Sequence, residues 1–377
     1  MADDVTGLTI ELLSPCFLGG AHQQPEFRLG SLRGVWRYWY RALYGDGSET
    51  GANRAVEDET ELFGGVFGDD VRIGRARLVP RVPTGGLKRG AAAWSRTRVP
   101  GGQKGPGRDY LLFTMDMNQR NQRNQRRFLA PGQAVRLDCR VRGPVASTIV
   151  ERAQRSLAAA LAFGGLGARS RRMAGAVHLT ANAPHPIFPA QPASDSAALA
   201  RRLKDLIAPA LVRTLQPARY HVVARDQFVA GVLRKAYGRW EDALDEVGSA
   251  LRDFRWRRQP DYEIAKNLAQ GRPVEPGKTI GRAAFGLPLS FRFSSLRGAP
   301  PVMIQLPGSD RRGSPLFLTL ERLQQGKLAV VWCLFHGPLG PGRIAVRNRQ
   351  IQMPEPDQGA IDALLREPAW SSHMITE

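Results

Sequence analysis

The sequence predicts an α+β protein built from two ferredoxin-like units, the second less regular than the first. Two observations carry this. Over the first half, segments of strand and helix periodicity follow one another as strand, helix, strand, strand region, helix, strand, the βαββαβ order of that fold, also the architecture of RRM-like RNA binders. The chain has 377 residues, 42% of them hydrophobic, enough for one large or two medium domains.

The elements can be taken in order. LTIEL (8–12) places Leu8, Ile10 and Leu12 on one face of a strand. A break at Gly19–Gly20 follows, then SLRGVWRYWYRALYG (31–45), a helix with Ser31 as N-cap and Gly45 as stop. VRIGRARLV (71–79) reads as a strand, and 80–108 as a long loop rich in Gly, Pro and basic residues. DYLLFTMDM (109–117) and QAVRLDCRV (133–141) read as strands flanking the basic low-complexity loop NQRNQRNQRR (118–127). A second helix spans 145–163, with Ile149, Ala153, Leu157, Ala160 and Leu161 as its apolar residues, and AGAVHLT (174–180) closes the unit as a strand. The Pro/Ala stretch 181–197 reads as a linker, so the expected domains are 1–190 and 191–377. In the second, helical segments are expected near 195–209 and 227–256, and strands at 283–293, 314–320 and 327–335.

Charge narrows the class of partner. There are 54 basic and 34 acidic residues, a formal net charge of +20, and 47 of the cations are arginine. That balance favours a polyanion, nucleic acid before an anionic membrane surface. No stretch reaches the roughly 18 apolar residues of a membrane span, and the MADD start is acidic, unlike a secretory signal. Cys16, Cys139 and Cys333 are far apart, with no zinc spacing. A cytoplasmic location follows as the expectation, with no metal and no cofactor.

Two basic features stand out. On a helical wheel, Arg33, Arg37 and Arg41 form a stripe at about 0°, 40° and 80°, while Leu32, Val35, Trp36, Trp39 and Leu43 fall between about 200° and 300°. No acidic residue four positions away within the helix pairs with the stripe. The second feature is GGLGARSRRMAGAV (164–177), where Gly164, Gly165 and Gly167 precede Arg169, Ser170, Arg171 and Arg172. It lacks GxxxxGK[ST] and follows a helix rather than opening one, which excludes a P-loop, and the same order excludes a Rossmann turn. Gly164 alone is explained as a helix stop. Exposed backbone amides beside arginine forks suit a sugar-phosphate backbone without reading bases. In a ferredoxin-like unit the loops after the first strand and before the last lie close, so Gly19–Gly20, the stripe and the glycine loop are expected on one surface.

A helix ending in FGGLGARSRRMAGAV resembles the glycine-rich signature of the RAMP superfamily, the repeat-associated CRISPR proteins. LSPCFLGG with SLRGVWRYWYRAL, ETELFGGVFG (59–68), RIGRARL (72–78), AAFGLPLSFRF (283–293) and RRGSPLFL (311–318) resemble, in the same order, the branch of that family found in Cmr-type (type III-B) complexes. One departure is Met173–Ala174, where a further glycine is usual. The resemblance implies two ferredoxin-like RAMP domains and a non-catalytic subunit that engages the 3′ region of a CRISPR guide RNA and its target RNA beside other RAMP subunits of the effector complex. Carried over by position, the RNA-binding residues are Gly19, Gly20, Arg33, Arg37, Arg41, Gly164, Gly165, Gly167, Arg169, Ser170, Arg171 and Arg172.

The alternative is a metal-independent endoribonuclease that processes CRISPR RNA, with a histidine activating a 2′-hydroxyl. His22, after the first glycine loop, is its candidate base; His336 at a strand end and His178 within a strand are weaker. The acidic run EDETE (57–61) reads as a helix start rather than a metal site.

Overall fold

The computed structural model describes residues 4–20, 24–46, 49–67, 70–81, 89–100, 103–119, 122–141, 145–213, 220–257, 260–293, 295–296, 301–308, 311–337, 342–347, 349 and 351–376. The first half holds β1 (Asp4–Leu12), α1 (Leu29–Tyr44), α2 (Glu49–Phe63), β2 (Ala76–Arg81), β3 (Ala134–Val141), α3 (Ser147–Ala159) and β4 (Val177–Ala181). Their sheet runs β4–β1–β3–β2, all neighbours antiparallel. Leu8, Ile10 and Leu12 of β1 are fully buried, as alternation requires when one face of a sheet is covered by helices. Trp36 of α1 donates its indole N–H to Ala153 O at 2.7 Å and Ser156 Oγ at 2.9 Å, which locks α1 onto α3.

After α4 (Ser196–Leu211), the second half repeats the plan with β5 (Phe228–Tyr237), α5 (Trp240–Trp256), β6 (Leu316–Arg322), β7 (Leu328–Phe335), α6 (Gly359–Leu365) and β8 (Ser372–Met374). Its sheet runs β6–β7–β5–β8. Both sheets therefore read fourth, first, third, second strand, and the expected ferredoxin-like order is present twice. The irregularity anticipated in the second half comes from insertions at two points. Leu289–Phe291, Val302–Gln305, Arg343–Val346 and Gln352–Pro354 form a third sheet. It closes with helix Asp261–Ala269 over a separate core containing Leu268, Ile304 and Ile344.

Several local expectations change. Ser31 lies inside α1, which starts at Leu29 with no side-chain cap; Gly45 does end it, its N–H bonding Arg41 O. The 71–79 strand divides into Asp70–Arg72, paired in a hairpin with Gly65–Phe67, and β2. Gly74 lies in the break, where a Cβ would meet the carbonyl carbon of Phe63 at 2.2 Å. Residues 109–117 are mostly not strand: helix Gly107–Leu111 and the 3-10 turn Phe113–Met115 precede the short strand Asp116–Gln119. Leu111, Leu112 and Met115 are buried at a spacing that a short apolar run does not distinguish from a strand. Gln122–Gln125 pairs antiparallel with that strand, so the described part of 118–125 is strand rather than loop. In the 227–256 helical region, Phe228–Tyr237 is the strand β5. It lies between β7 and β8 with Phe228, Ala230, Val232 and Leu233 all buried, so no alternation marks it. In 283–293, Gly281–Phe285 is a 3-10 turn before the third sheet. The acidic run 57–61 lies in the second half of α2, not at its start.

The two halves share their cores. Trp39 of α1 stacks on Phe163 with centroids 5.6 Å apart and tilts over Phe335 of β7 at 5.7 Å. All three cysteines are buried, with no disulfide between them, and burial pushes the Cys16 thiol up to about 12.

Candidate nucleic-acid interface

The segment leaving β1 and the glycine loop before β4 lie side by side. Ala168 N–H donates to Phe17 O at 3.1 Å and Gly175 N–H to Pro15 O at 2.9 Å. Ser14 Oγ donates to Met173 O at 2.6 Å and accepts from Ala176 N–H at 3.0 Å. This contact requires the glycines. Gly167 has φ +86, and a Cβ there would sit 2.6 Å from Phe17 O; at Gly175, φ +60, it would sit 1.9 Å from Leu166 O. Two non-glycine residues, Arg169 and Met173, also hold left-handed φ values of 63° and 64°. Each costs on the order of 1–2 kcal/mol, strain that persists only where the surroundings impose it and that clusters at functional sites. Met173, where the family pattern departs, is fully buried, and its N–H donates to Leu318 O at 2.9 Å.

The three loop arginines face different ways. Arg171 Nη1 donates to Ser314 O at 2.7 Å, and its guanidinium lies 4.2 Å over Phe317. Arg172 donates to Leu316 O and Phe285 O, both at 3.3 Å. These two brace the loop against β6 and the residues before it. Burial, then repulsion from Arg255, pulls Arg172 down to about 9, so it stays cationic at neutral pH. Arg169 instead donates its Nε–H to Thr114 Oγ1 at 2.7 Å and lies 4.7 Å over the Phe113 ring. Burial lowers its pKa first, and then the nearby guanidinium of Arg311. Arg255 adds to that repulsion and lies 5.4 Å over Phe285.

The helix stripe lies elsewhere. Gly164 packs against the aromatic face of α1, its hypothetical Cβ 3.1 Å from Trp39 Nε1. The stripe turns the other way, onto α2. Arg37 Nε and Arg41 Nε donate to Glu59 Oε1 and Oε2 at 2.8 and 2.9 Å. Glu59 is fully buried, while the arginine side chains keep 29% and 42% exposure. Arg33, one turn earlier, makes no hydrogen bond or ion pair among the described residues. Gly19 is exposed, its carbonyl accepting from Arg28 Nη1 at 3.2 Å, and Gly20 backs onto the Glu26 side chain. Ser170 opens the 3-10 turn between Arg169 and Arg171. The structure thus brings 13–20 and 164–175 together and places the stripe on the opposite side of α1.

Of the histidines, His22 lies outside the described residues. His178 is buried and its Nδ1 meets Glu321 Oε1, tying β4 to β6; His336 N–H donates to Gln227 O at 2.7 Å. Among the described residues no group of three or more His, Cys, Asp or Glu is placed to hold a metal, and no helix is long and apolar enough to cross a membrane. Sequence reasoning missed Phe113, Thr114 and Arg255 beside the glycine loop. Arg311 belongs to the quoted RRGSPLFL stretch, but nothing in that stretch marked it as a neighbour of the loop.

The paired ferredoxin-like sheets and the glycine loop at their seam define a class. Residues 9–178 match the RAMP superfamily. The chain is similar to CRISPR system Cmr subunit Cmr1-2 of Pyrococcus furiosus, 28% identical over 174 residues that make up 45% of this chain and 91% of the relative. The fold is similar to the crystal structure of Cmr1 from Pyrococcus furiosus in its apo form. That match has a TM-score of 0.56 at 17% identity and covers 98% of this chain and 99% of the other. It is also similar to a chain in the cryo-EM structure of the type III-B Cmr-beta bound to cognate target RNA and AMPPnP. There the TM-score is 0.52 at 12% identity, with 97% and 98% of the two chains covered.

Proposed function

We propose that this chain is a non-catalytic RNA-binding subunit of a type III-B CRISPR effector complex. It engages the 3′ region of the guide RNA and the target RNA through backbone phosphates, beside other RAMP subunits. Its two ferredoxin-like units divide near residue 190. One observation carries the reading: Arg169 is bonded to a neutral hydroxyl and seated on a neutral ring, and among the described residues the charged groups acting on it are the arginines Arg255 and Arg311. A cluster of like charges held at a strained loop is stabilised by an anion, and guanidinium forks suit phosphate. The likeness to the Cmr subunit supports the guide and target RNA as the source of that anion. In this reading Gly19, Gly20, Gly164, Gly165, Gly167 and Ser170 shape the loops of the basic surface, and Arg33 with the half-exposed Arg37 and Arg41 offers a second basic surface on the other side of α1.

The test is a titration of end-labelled, repeat-containing RNA with the purified protein in EDTA, read on native and denaturing gels. The expected result is a shifted, intact RNA whose affinity falls with salt. In Arg169→Ala/Arg255→Ala the slope of log affinity against log salt flattens by about 1.4, two phosphate contacts on a single strand. An unchanged slope removes the cluster from the RNA site. A discrete cut in EDTA that is lost in His22→Ala replaces the reading with a ribonuclease.

A further inference from the structure

Among the described residues, Phe113 is the one large apolar side chain at this cluster left open to solvent, with 45% exposure. Its neighbours Leu112 and Met115 are buried, so the exposure belongs to a fixed turn. That turn follows helix Gly107–Leu111, which is pressed against α5. A Cβ on Gly107 would sit 2.1 Å from Asp245 O, and one on Gly248 would sit 2.3 Å from Gly107 O. Asp245 Oδ1 also accepts from Arg108 N–H at 3.0 Å. Along the chain from the other direction, Asp109 Oδ2 accepts from Thr97 N–H and Asp116 Oδ2 from Arg96 N–H, both at 2.8 Å. The ring is thus presented by a braced scaffold.

One side of the Phe113 ring is taken by Arg169 at 4.7 Å, and Thr114 fixes the same guanidinium. We propose that the open side of Phe113 is a stacking platform for an unpaired RNA base, seated between phosphates held by Arg169, Arg255 and Arg311. The inference rests on the RNA-binding reading and adds to it that the strand is single at this point. The argument is one of chemistry. A flat apolar ring amid cations matches a ligand that alternates planar bases with phosphates, and base–aromatic stacking tolerates any sequence. A duplex buries its base faces within the helix and offers the ring nothing to stack on. The guanidinium behind the ring adds a cation–π contact that orders it before the base arrives.

The test uses the full chain and three RNAs of the same length: a single strand, its duplex, and a single strand with abasic sites. Phe113→Ala is expected to lose about tenfold in affinity for the single strand with its salt slope unchanged. Phe113→Tyr restores the affinity. On the duplex and the abasic strand, wild type and Phe113→Ala bind alike. A 2-aminopurine scan of the strand is expected to show one position whose fluorescence changes on binding to wild type and not to Phe113→Ala. Salt-dependent RNA binding that is indifferent to Phe113 overturns the stacking inference and leaves the RNA reading standing. An equal loss on all three RNAs also overturns it and makes the ring a packing element. Loss of a protein neighbour with unchanged RNA affinity makes Phe113 an intersubunit contact. No RNA binding by the wild type overturns both.

Discussion

The guanidinium of Arg171 lies 4.2 Å over the ring of Phe317, inside the seam between the two ferredoxin-like units. Phe317 belongs to β6, and Arg171 also bonds Ser314 O just before that strand. Gly313 admits the side chain, since a Cβ there would sit 2.3 Å from Arg171 Nη1. Arg171→Ala therefore lowers stability by about 2–3 kcal/mol, from the lost stacking and the unmet Ser314 carbonyl. Arg169→Ala, by contrast, leaves stability within about 1 kcal/mol and lowers RNA affinity. Denaturant melts and RNA titrations of the two single variants separate bracing from binding; equal RNA losses refute the division.

Glu59 governs the other basic feature. It is buried between Arg37 and Arg41 and is the only carboxylate bonded to either among the described residues. Glu59→Gln keeps the shape and removes the countercharge, and is expected to cost about 2 kcal/mol, toward the low side for a broken buried pair because both guanidinia are half-exposed. If the stripe contributes to the RNA surface, the same change strengthens RNA binding at low salt. Urea unfolding and filter binding measure the two effects, and an unchanged affinity makes the stripe a solvated face.

How much of this was legible follows from distance along the chain. The βαββαβ order of the first half and the Gly164–Arg172 loop are local, and periodicity and residue type reveal them. The partners are not local. Ser314 lies 143 residues from Arg171, so nothing near the loop marks Arg171 and Arg172 as seam residues. Glu59 lies 22 residues from Arg37, beyond any within-helix pairing rule. Phe113 sits in a run of apolar letters that reads equally as strand or helix, and only the scaffold of α5 shows which side is open. β5 escaped detection for the opposite reason, because burial on both faces erases alternation.

Gly167 tests the loop itself. Its φ of +86 and the 2.6 Å approach of a Cβ to Phe17 O combine backbone strain with a clash against a carbonyl that cannot move without disturbing the exit of β1. Gly167→Ala is expected to lose about 2–4 kcal/mol. Gly19→Ala, with open space around its Cβ position, changes stability by less than about 0.5 kcal/mol. Melting temperatures of the pair check this, and comparable losses at both sites refute it.

His221 links the seam to pH. Its ring stacks on Phe335 with centroids 4.6 Å apart, and its Nδ1 meets the Tyr38 hydroxyl at 2.5 Å. Phe317 lies edge-on to the His221 ring, and among the described residues the charged group acting on that ring is Arg171. Burial, and then that guanidinium, hold the imidazole down at about 4, against 6.5 when free. The Tyr38 hydroxyl, its own pKa raised by burial, stays protonated and donates to the neutral ring. Between pH 6.5 and 4 the unfolded chain takes up the His221 proton and the folded chain does not. Stability from this group is therefore complete above about pH 6.5 and falls as the pH drops through the window, by about 3 kcal/mol in full. His221→Gln keeps an acceptor for Tyr38 and removes the titration. The difference between wild-type and variant unfolding free energies should therefore change across pH 6.5–4 and be flat above it. A difference independent of pH would show that His221 is already protonated or equally exposed in both states.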